Sequence, residues 1–284
     1  MLALVTILTQ AFLSAEHVVT LPNGDALALS TRGDTALRVR FLTAGGGDIA
    51  PIDSPMVSPE APDAPFSACA PCGAIAGHGI VAASIGTLVV SAASELLLMD
   101  DNGKLLTRTE PLVGNATAGQ LVFSSTATAL LYGGGGRTSD PPSLTHSLVR
   151  ASVQGCDVWA PHLYSTDGYA ALGVVNITSG HGKTNELPIA YTKNETHLRW
   201  SRPLTSPFEL YLMPAASLDE GTRRYYRLVG LPAVPPRFAF GFMASRWGWG
   251  DRTYIESVLH AFRDGAYPLD ACALHPIQTP ADAH

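Results

Sequence analysis

Cys69-Ala-Pro-Cys72 has a spacing that could do chemistry. Two cysteines three apart suit thiol–disulfide exchange or half of a zinc site. A zinc site would need a second pair or nearby His at a matching spacing, and Cys156 and Cys272 lie far away and apart. A redox motif would open a helix after a strand, whereas this one follows a Pro-rich run. The segment therefore reads as a loop holding either one local disulfide or free thiols. The 9 His show no metal spacing, and His78, His146 and His162 are scattered over turns and strands. Asp251, Glu256 and Asp264 lie on or beside a helical stretch whose other face is apolar, and read as its solvated side. No metal and no cofactor are expected.

Three tripeptides, Asn115-Ala-Thr117, Asn176-Ile-Thr178 and Asn194-Glu-Thr196, are N-glycosylation acceptors by sequence. They matter only in the secretory pathway. Residues Met1 to Ala15 are uncharged and mostly apolar, like the hydrophobic part of a signal peptide. The same stretch also reads as a buried first strand or helix. Together with the acceptor sites it favours a secretory or extracellular protein.

Composition narrows the classes. The chain has 284 residues, 46% hydrophobic and 15% charged, which suits a chain that buries a core. Its net charge of −6, with the Lys and Arg scattered, gives no footprint for nucleic acid. No run of apolar residues is long enough to span a membrane. The 27 Gly and 21 Pro call for many turns.

The elements follow from periodicity. Val18 to Leu42 reads as strands broken at Pro22-Asn-Gly24 and Arg32-Gly-Asp34. Ala36 to Phe41 alternates apolar and basic residues, the pattern of a half-buried strand. Asp100-Asp-Asn-Gly103 is a hairpin turn after the apolar run ending at Met99. Gln120 to Tyr132 is one β-prone run. Two short strands flank Asp167-Gly168, a hairpin turns at Lys193-Asn194, and Phe208 to Leu212 alternates. Such short strands at turn spacing predict an all-β sandwich or barrel. Near residue 217 the character changes. Ser217-Leu-Asp-Glu220 is a capping box that opens a helix to Gly230. Phe238 to Met243 reads as a strand apolar on both faces, Arg252 to Asp264 as a helix, and Asp270 to Leu274 as a second buried strand. Strand, helix, strand at this length is one βαβ unit.

Tyr225-Tyr-Arg-Leu-Val-Gly-Leu-Pro-Ala-Val-Pro-Pro-Arg-Phe-Ala-Phe-Gly-Phe242, then Ser245-Arg-Trp-Gly-Trp249, resembles the joining segment of glycoside hydrolase family 31, the α-glucosidase and α-xylosidase family. Phe262-Arg-Asp-Gly-Ala-Tyr-Pro-Leu-Asp-Ala271 resembles that family's F-R-x-x-x-I-P-L-D-V. Upstream, Asp100 to Leu106, Tyr132 to Gly136 and Pro161 to Ala170 resemble its sandwich motifs, in family order. The resemblance covers roughly residues 28 to 274.

It implies a mainly β fold: a galactose-mutarotase-like β-sandwich, then a linker helix and the opening βαβ unit of an incomplete (β/α)₈ barrel. The divisions are 1–15 as signal peptide, 16–214 as sandwich, 215–237 as helix and Pro-rich joint, and 238–284 as the start of the barrel. The implied activity is retaining hydrolysis of terminal α-linked sugars, with an α-glucoside-like carbohydrate as ligand. Arg246 and Trp247 match a position that shapes the sugar pocket; packing at the sandwich–barrel joint is the other reading. Asp140 and Asp157 fall in a loop window that reaches the pocket in the family, with no position matched. The nucleophile and acid/base Asp of the family lie on later barrel strands. Phe238 to His284 is far shorter than the about 250 residues of a whole barrel. The likeness also stops after Leu274, where His275-Pro-Ile277 replace an acidic segment. The chain thus reads as a truncated α-glycosidase, catalytically inactive alone, or as a non-catalytic carbohydrate-binding or scaffold sandwich. As a mere fragment it would leave Phe238, Phe240, Phe242 and Val258 uncovered.

Overall fold

Short aliphatic and β-branched runs separated by Gly, Pro and Asp turns form strands because pleated, half-covered backbone suits those side chains. The computed structural model describes residues 16–42, 52, 56–115, 120–136, 148–150, 158–175, 190–194, 197–201, 208–246, 249 and 251–273. The chain divides into two compact units, Met1–Leu231 and Pro232–His284.

The first unit is built on a seven-stranded antiparallel sheet. Its strands are β1 (His17–Thr20), β2 (Ala26–Arg32), β3 (Ala36–Leu42), β10 (Leu131–Gly136), β12 (Val158–Ser165), β13 (Tyr169–Val175) and β16 (Phe208–Pro214). Their order is β1-β2-β3-β16-β13-β12-β10. A second layer holds five strands in sequence order: β4 (Ser67–Cys69), β5 (Gly77–Ala82), β6 (Gly86–Ser91), β7 (Leu96–Met99) and β8 (Leu105–Arg108). Four more strands form a third sheet, ordered β11-β14-β15-β9: β9 (Gln120–Ser124), β11 (Leu148–Arg150), β14 (Ala190–Lys193) and β15 (His197–Ser201). An isolated bridge, Thr109 to Phe123, joins the segment after β8 to β9. A four-residue helix, α1 (Leu112–Asn115), lies between them.

The main core lies between these layers. Leu29, Leu37, Val39, Leu210 and Leu212 from the large sheet meet Ile80, Leu88, Leu98 and Phe123 from the others. Each such side chain contributes about 1.5–3 kcal/mol by leaving water. A second cluster covers the other face of the large sheet. It joins Tyr164, Ala170, Leu172, Tyr211 and Met213 to Leu228 of α2 (Leu218–Val229). Helix α2 lies close because Gly221 has no side chain: a Cβ there would stand 2.9 Å from the Tyr164 ring. Ser217 Oγ accepts the Glu220 amide at 3.2 Å, as the capping box requires. The Glu220 carboxylate reaches back to the Ala216 amide at 2.9 Å.

The large sheet is covered on both faces, and this corrects the half-buried reading of Ala36 to Phe41. Arg38 and Arg40 are each only 5% exposed. Their side chains fall on the face of Tyr211, where β16 supplies Glu209, itself 1% exposed. Arg38 donates from Nε and Nη2 to the two Glu209 oxygens at 2.9 and 2.6 Å. Tyr211 donates to the same carboxylate at 2.5 Å, and the Ile52 amide at 2.8 Å. Arg40 donates to both oxygens of Glu16, at 2.8 and 2.6 Å. Burial is the largest influence on Arg38 and would lower its pKa, but its hydrogen bond to Glu209 and the electrostatic attraction of Tyr211, Glu209 and Glu16 together hold it above its ordinary value. Burial, with the Glu209 charge, also pushes the Tyr211 phenol up.

Two further readings change. Gln120 to Tyr132 is not one run: β9 and β10 belong to different sheets, separated by a turn at Thr126 to Ala129. Phe238 to Met243 is not a strand either. Pro236 sets an extended φ of −62°, and Arg237–Phe240 then closes a 3₁₀ turn. Pairing starts only at Met243, opposite Ala271.

The second unit is one strand–helix–strand: β17 (Met243–Ser245), α3 (Arg252–Asp264) and β18 (Ala271–Ala273), with the strands parallel. Its described residues bury little: Ala244 and Trp249 are buried, whereas Phe238, Phe240 and Phe242 are exposed at 52%, 72% and 49%. Val258, grouped with these Phe in the sequence reading, is instead half-buried.

Removing Glu209 leaves two buried guanidinium groups short of a counter-charge. Glu209→Ala is expected to lower unfolding free energy by about 3–5 kcal/mol in urea titrations. Arg223→Ala, which breaks only the exposed pair with Asp219, should change it by less than about 1 kcal/mol.

Candidate functional site

The second unit sets its site by pairing two parallel strands in register. Asp251 caps α3, its carboxylate accepting the Tyr254 amide at 2.9 Å. Asp270 fixes the start of both strands: its carboxylate accepts the Phe242 amide at 2.9 Å, and its own amide donates to the Phe242 carbonyl at 2.9 Å. The fit leaves no room for a side chain at Gly241, since a Cβ there would lie on the Asp270 carboxylate. Parallel strands joined by one helix bring their C-terminal ends together, and loops leaving that edge carry the chemistry of such folds. Arg246 leaves β17 at this edge and is exposed. A guanidinium there presents a planar fork of donors to hydroxyls or a carboxylate. Trp247 lies outside the described residues.

Cys69 and Cys72 form a disulfide, so the loop carries the local bridge and no thiolate pair. Among the described residues no group of three His, Cys, Asp or Glu could hold a metal. His78 is exposed on β5. His146, Asp140, Asp157, Cys156 and Asn176 lie outside the described residues. Asn115 ends α1. Asn194 is exposed at the tip of the β14–β15 hairpin, where its side-chain oxygen accepts the His197 amide at 2.7 Å. Glu256 pairs with Arg252 at 2.7 Å along the solvent side of α3.

His162 is the exception among the histidines. Its ring lies 4.0 Å from that of Tyr225 on α2, tilted by 32°. Its Nε2 is buried with no hydrogen-bond partner among the described residues. Burial lowers its pKa from 6.5 to about 4, so it packs as a neutral ring and holds α2 to the sheet.

The sequence did not single out Glu209 or Asp270 as important carboxylates. Asp270 could have been found, because it stands inside the Pro268-Leu-Asp270 motif. Glu209 had no local charge signal, since Arg38 and the Ile52 amide come from chain segments far away.

No family model matches the chain. Neutral alpha-glucosidase AB of Mus musculus is 28% identical over 145 residues, 49% of this chain and 14% of that protein. Glucoamylase 1 of Candida albicans is 32% identical over 76 residues, 27% of this chain and 8% of that protein. Among solved structures, the GH31 alpha-xylosidase from a soil metagenome, complexed with xylose, superimposes with a TM-score of 0.72 at 18% identity. It covers 89% of this chain, which in turn spans 39% of that enzyme. In fold the chain is similar to enzymes of glycoside hydrolase family 31. The family 31 dextranase of Flavobacterium johnsoniae, complexed with glucose, agrees: TM-score 0.68 at 16% identity, covering 91% of this chain and 32% of that one. The fold expected from the family, sandwich strands followed by the first strand–helix–strand of a barrel, is the fold observed.

His162 gives the first unit a pH dependence. An unfolded chain takes up its proton near pH 6.5, whereas the folded one refuses it until about pH 4. Its share of stability is therefore whole above pH 6.5 and lost as pH falls through that window. Replacing it by His162→Phe keeps the stack on Tyr225. Melting temperatures of the two proteins should diverge between pH 6.5 and 4, with the variant falling less.

Proposed function

We propose that this chain forms the supporting sandwich and opening barrel unit of an α-glycosidase that removes terminal α-linked glucose, or a similar sugar, by the retaining route. The observation that carries the reading is a single ordered match. Joint, Ser-Arg-Trp-Gly segment and Pro-Leu-Asp motif follow one another as in family 31, and the fold agrees along nearly the whole chain. Those two relatives are complexed with sugars, which supports a carbohydrate as ligand here.

Retaining hydrolysis needs two carboxylates about 5–5.5 Å apart, one to attack the anomeric carbon and one to protonate the leaving oxygen. Among the described residues at the C-terminal ends of β17 and β18, none supplies such a pair. Residues 1–284 alone are therefore proposed to be inactive. Their part is to hold the sandwich wall and to offer Arg246 and Trp247 to the sugar, through hydrogen bonds and ring stacking. The secretory route is proposed as well, with Met1 to Ala15 as the signal and Asn115, Asn176 and Asn194 as glycan acceptors.

The transcript across the codons for Leu274 to His284 tests the reading. The expected result is an open frame continuing into a barrel with two catalytic Asp, whose product releases p-nitrophenol from its α-glucoside. A transcript that stops after His284 would overturn the enzyme reading. Expressed in a secretory host, the chain should lose one glycan step on a gel when Asn194→Gln is introduced; an unchanged mobility removes that site from the proposal.

A further inference from the structure

At one end of the sandwich, a cleft of about 360 Å³ opens where five separate segments meet. They are the β5–β6 turn, the β7–β8 hairpin turn, the β12–β13 turn, the exit of β16 and the first turns of α2. Pockets of this volume suit small ligands.

The walls are fixed before anything binds. Asp100 Oδ1 accepts the amides of Asn102 and Lys104 at 3.0 and 2.8 Å, which locks the hairpin turn. The Asp167 carboxylate accepts the hydroxyls of Ser125 and Thr126 at 2.7 and 2.6 Å. The Ala215 amide donates to the Gly168 carbonyl at 2.8 Å, tying the exit of β16 to the β12–β13 turn. Glu220 bonds Arg224 along α2, with 3.0 Å between Oε1 and Nε.

The lining has two characters. Ile85, Leu106, Pro214 and Ala215 supply apolar surface and are buried or half-buried. Asp101 and Lys104 are exposed and line the same cleft. Asp101 uses one oxygen, on the Asn102 side-chain amide at 3.0 Å. Lys104 has no side-chain partner among the described residues. Acidic groups outnumber basic ones around the cleft, which disfavours an anion. No group of three metal-binding side chains occurs among the described residues, which disfavours a metal ion. A neutral ring with a C–H face and a hydroxyl edge satisfies both characters.

We propose that this cleft binds a single pyranose unit, with Asp101 accepting from its hydroxyls and Lys104 donating to them. All of its lining residues belong to the sandwich unit. It deepens the carbohydrate reading without depending on hydrolysis.

The test is a titration of the full 284-residue chain with methyl α-D-glucopyranoside, followed by amide NMR. The expected result is saturable millimolar binding, with shifts concentrated at Gly103, Gly168 and Ala216. Asp101→Ala and Lys104→Ala should each weaken it about tenfold, the effect of losing one charged hydrogen bond, and the double variant should weaken it further. Both residues are exposed, so an unchanged spectrum elsewhere shows that the fold is kept. Arg252→Ala, an exposed change on α3, should leave the affinity unchanged. Absence of saturation, unaltered affinity in the double variant, or loss of binding in Arg252→Ala would each overturn the proposal. None of these outcomes bears on whether a longer product cleaves α-glucosides.

Discussion

Glu209 is the acceptor on which Arg38, Tyr211 and the Ile52 amide converge, within a sheet that has no wet face at that point. β3 and β16 are neighbours near the middle of the large sheet. Each sends one set of side chains into the main core and the other set beneath a second cover. The second set carries charge, so it had to be neutralised internally. Such a cluster adds little net stability over apolar residues of the same size, because desolvating the ions is expensive. Its effect is on register. A slip of one residue between β3 and β16 would turn Arg38, Arg40 and Glu209 into the aliphatic core, at prohibitive cost.

From that fixed register the rest of the first unit follows. α2 can lie on the sheet because Gly221 admits the Tyr164 ring and His162 stays neutral against Tyr225. The turns at one end of the sandwich are held by Asp100 and Asp167, each spending its carboxylate on neighbouring donors. Loops held in this way can present surface groups at low entropic cost, which is how sites arise on rigid scaffolds. The second unit is different in kind. Its two strands are three residues each, and aromatic side chains beside them are exposed. Its order rests on Asp270, on the capped helix α3 and on a strand pair that buries little.

Much of this was legible locally. Ser217 and Glu220 mark the start of α2, the apolar stripe through Tyr254, Val258, Leu259 and Phe262 marks α3, and Asp100 to Gly103 marks its hairpin. These are signals carried within one stretch of chain. What failed was the covering of surfaces. Alternation in Ala36 to Phe41 shows that the two faces differ, and says nothing of Glu16 and Glu209 arriving to bury the arginines. The run Phe238 to Met243 was apolar enough for a strand, yet a strand also needs a partner, and Ala271 reaches only Met243. Of the candidate site, Arg246 was found because a motif fixes its place after the first barrel strand. The cleft bounded by Asp101, Lys104 and Glu220 was invisible, since its walls come from segments distant in sequence.

The order of this chain resides in the doubly covered sandwich sheet. Amide hydrogen exchange tests it most directly. Amides of β3, β13 and β16 should exchange only through global unfolding, while those of β17 and β18 exchange orders of magnitude faster through local opening. Equal protection in the two units would contradict the account.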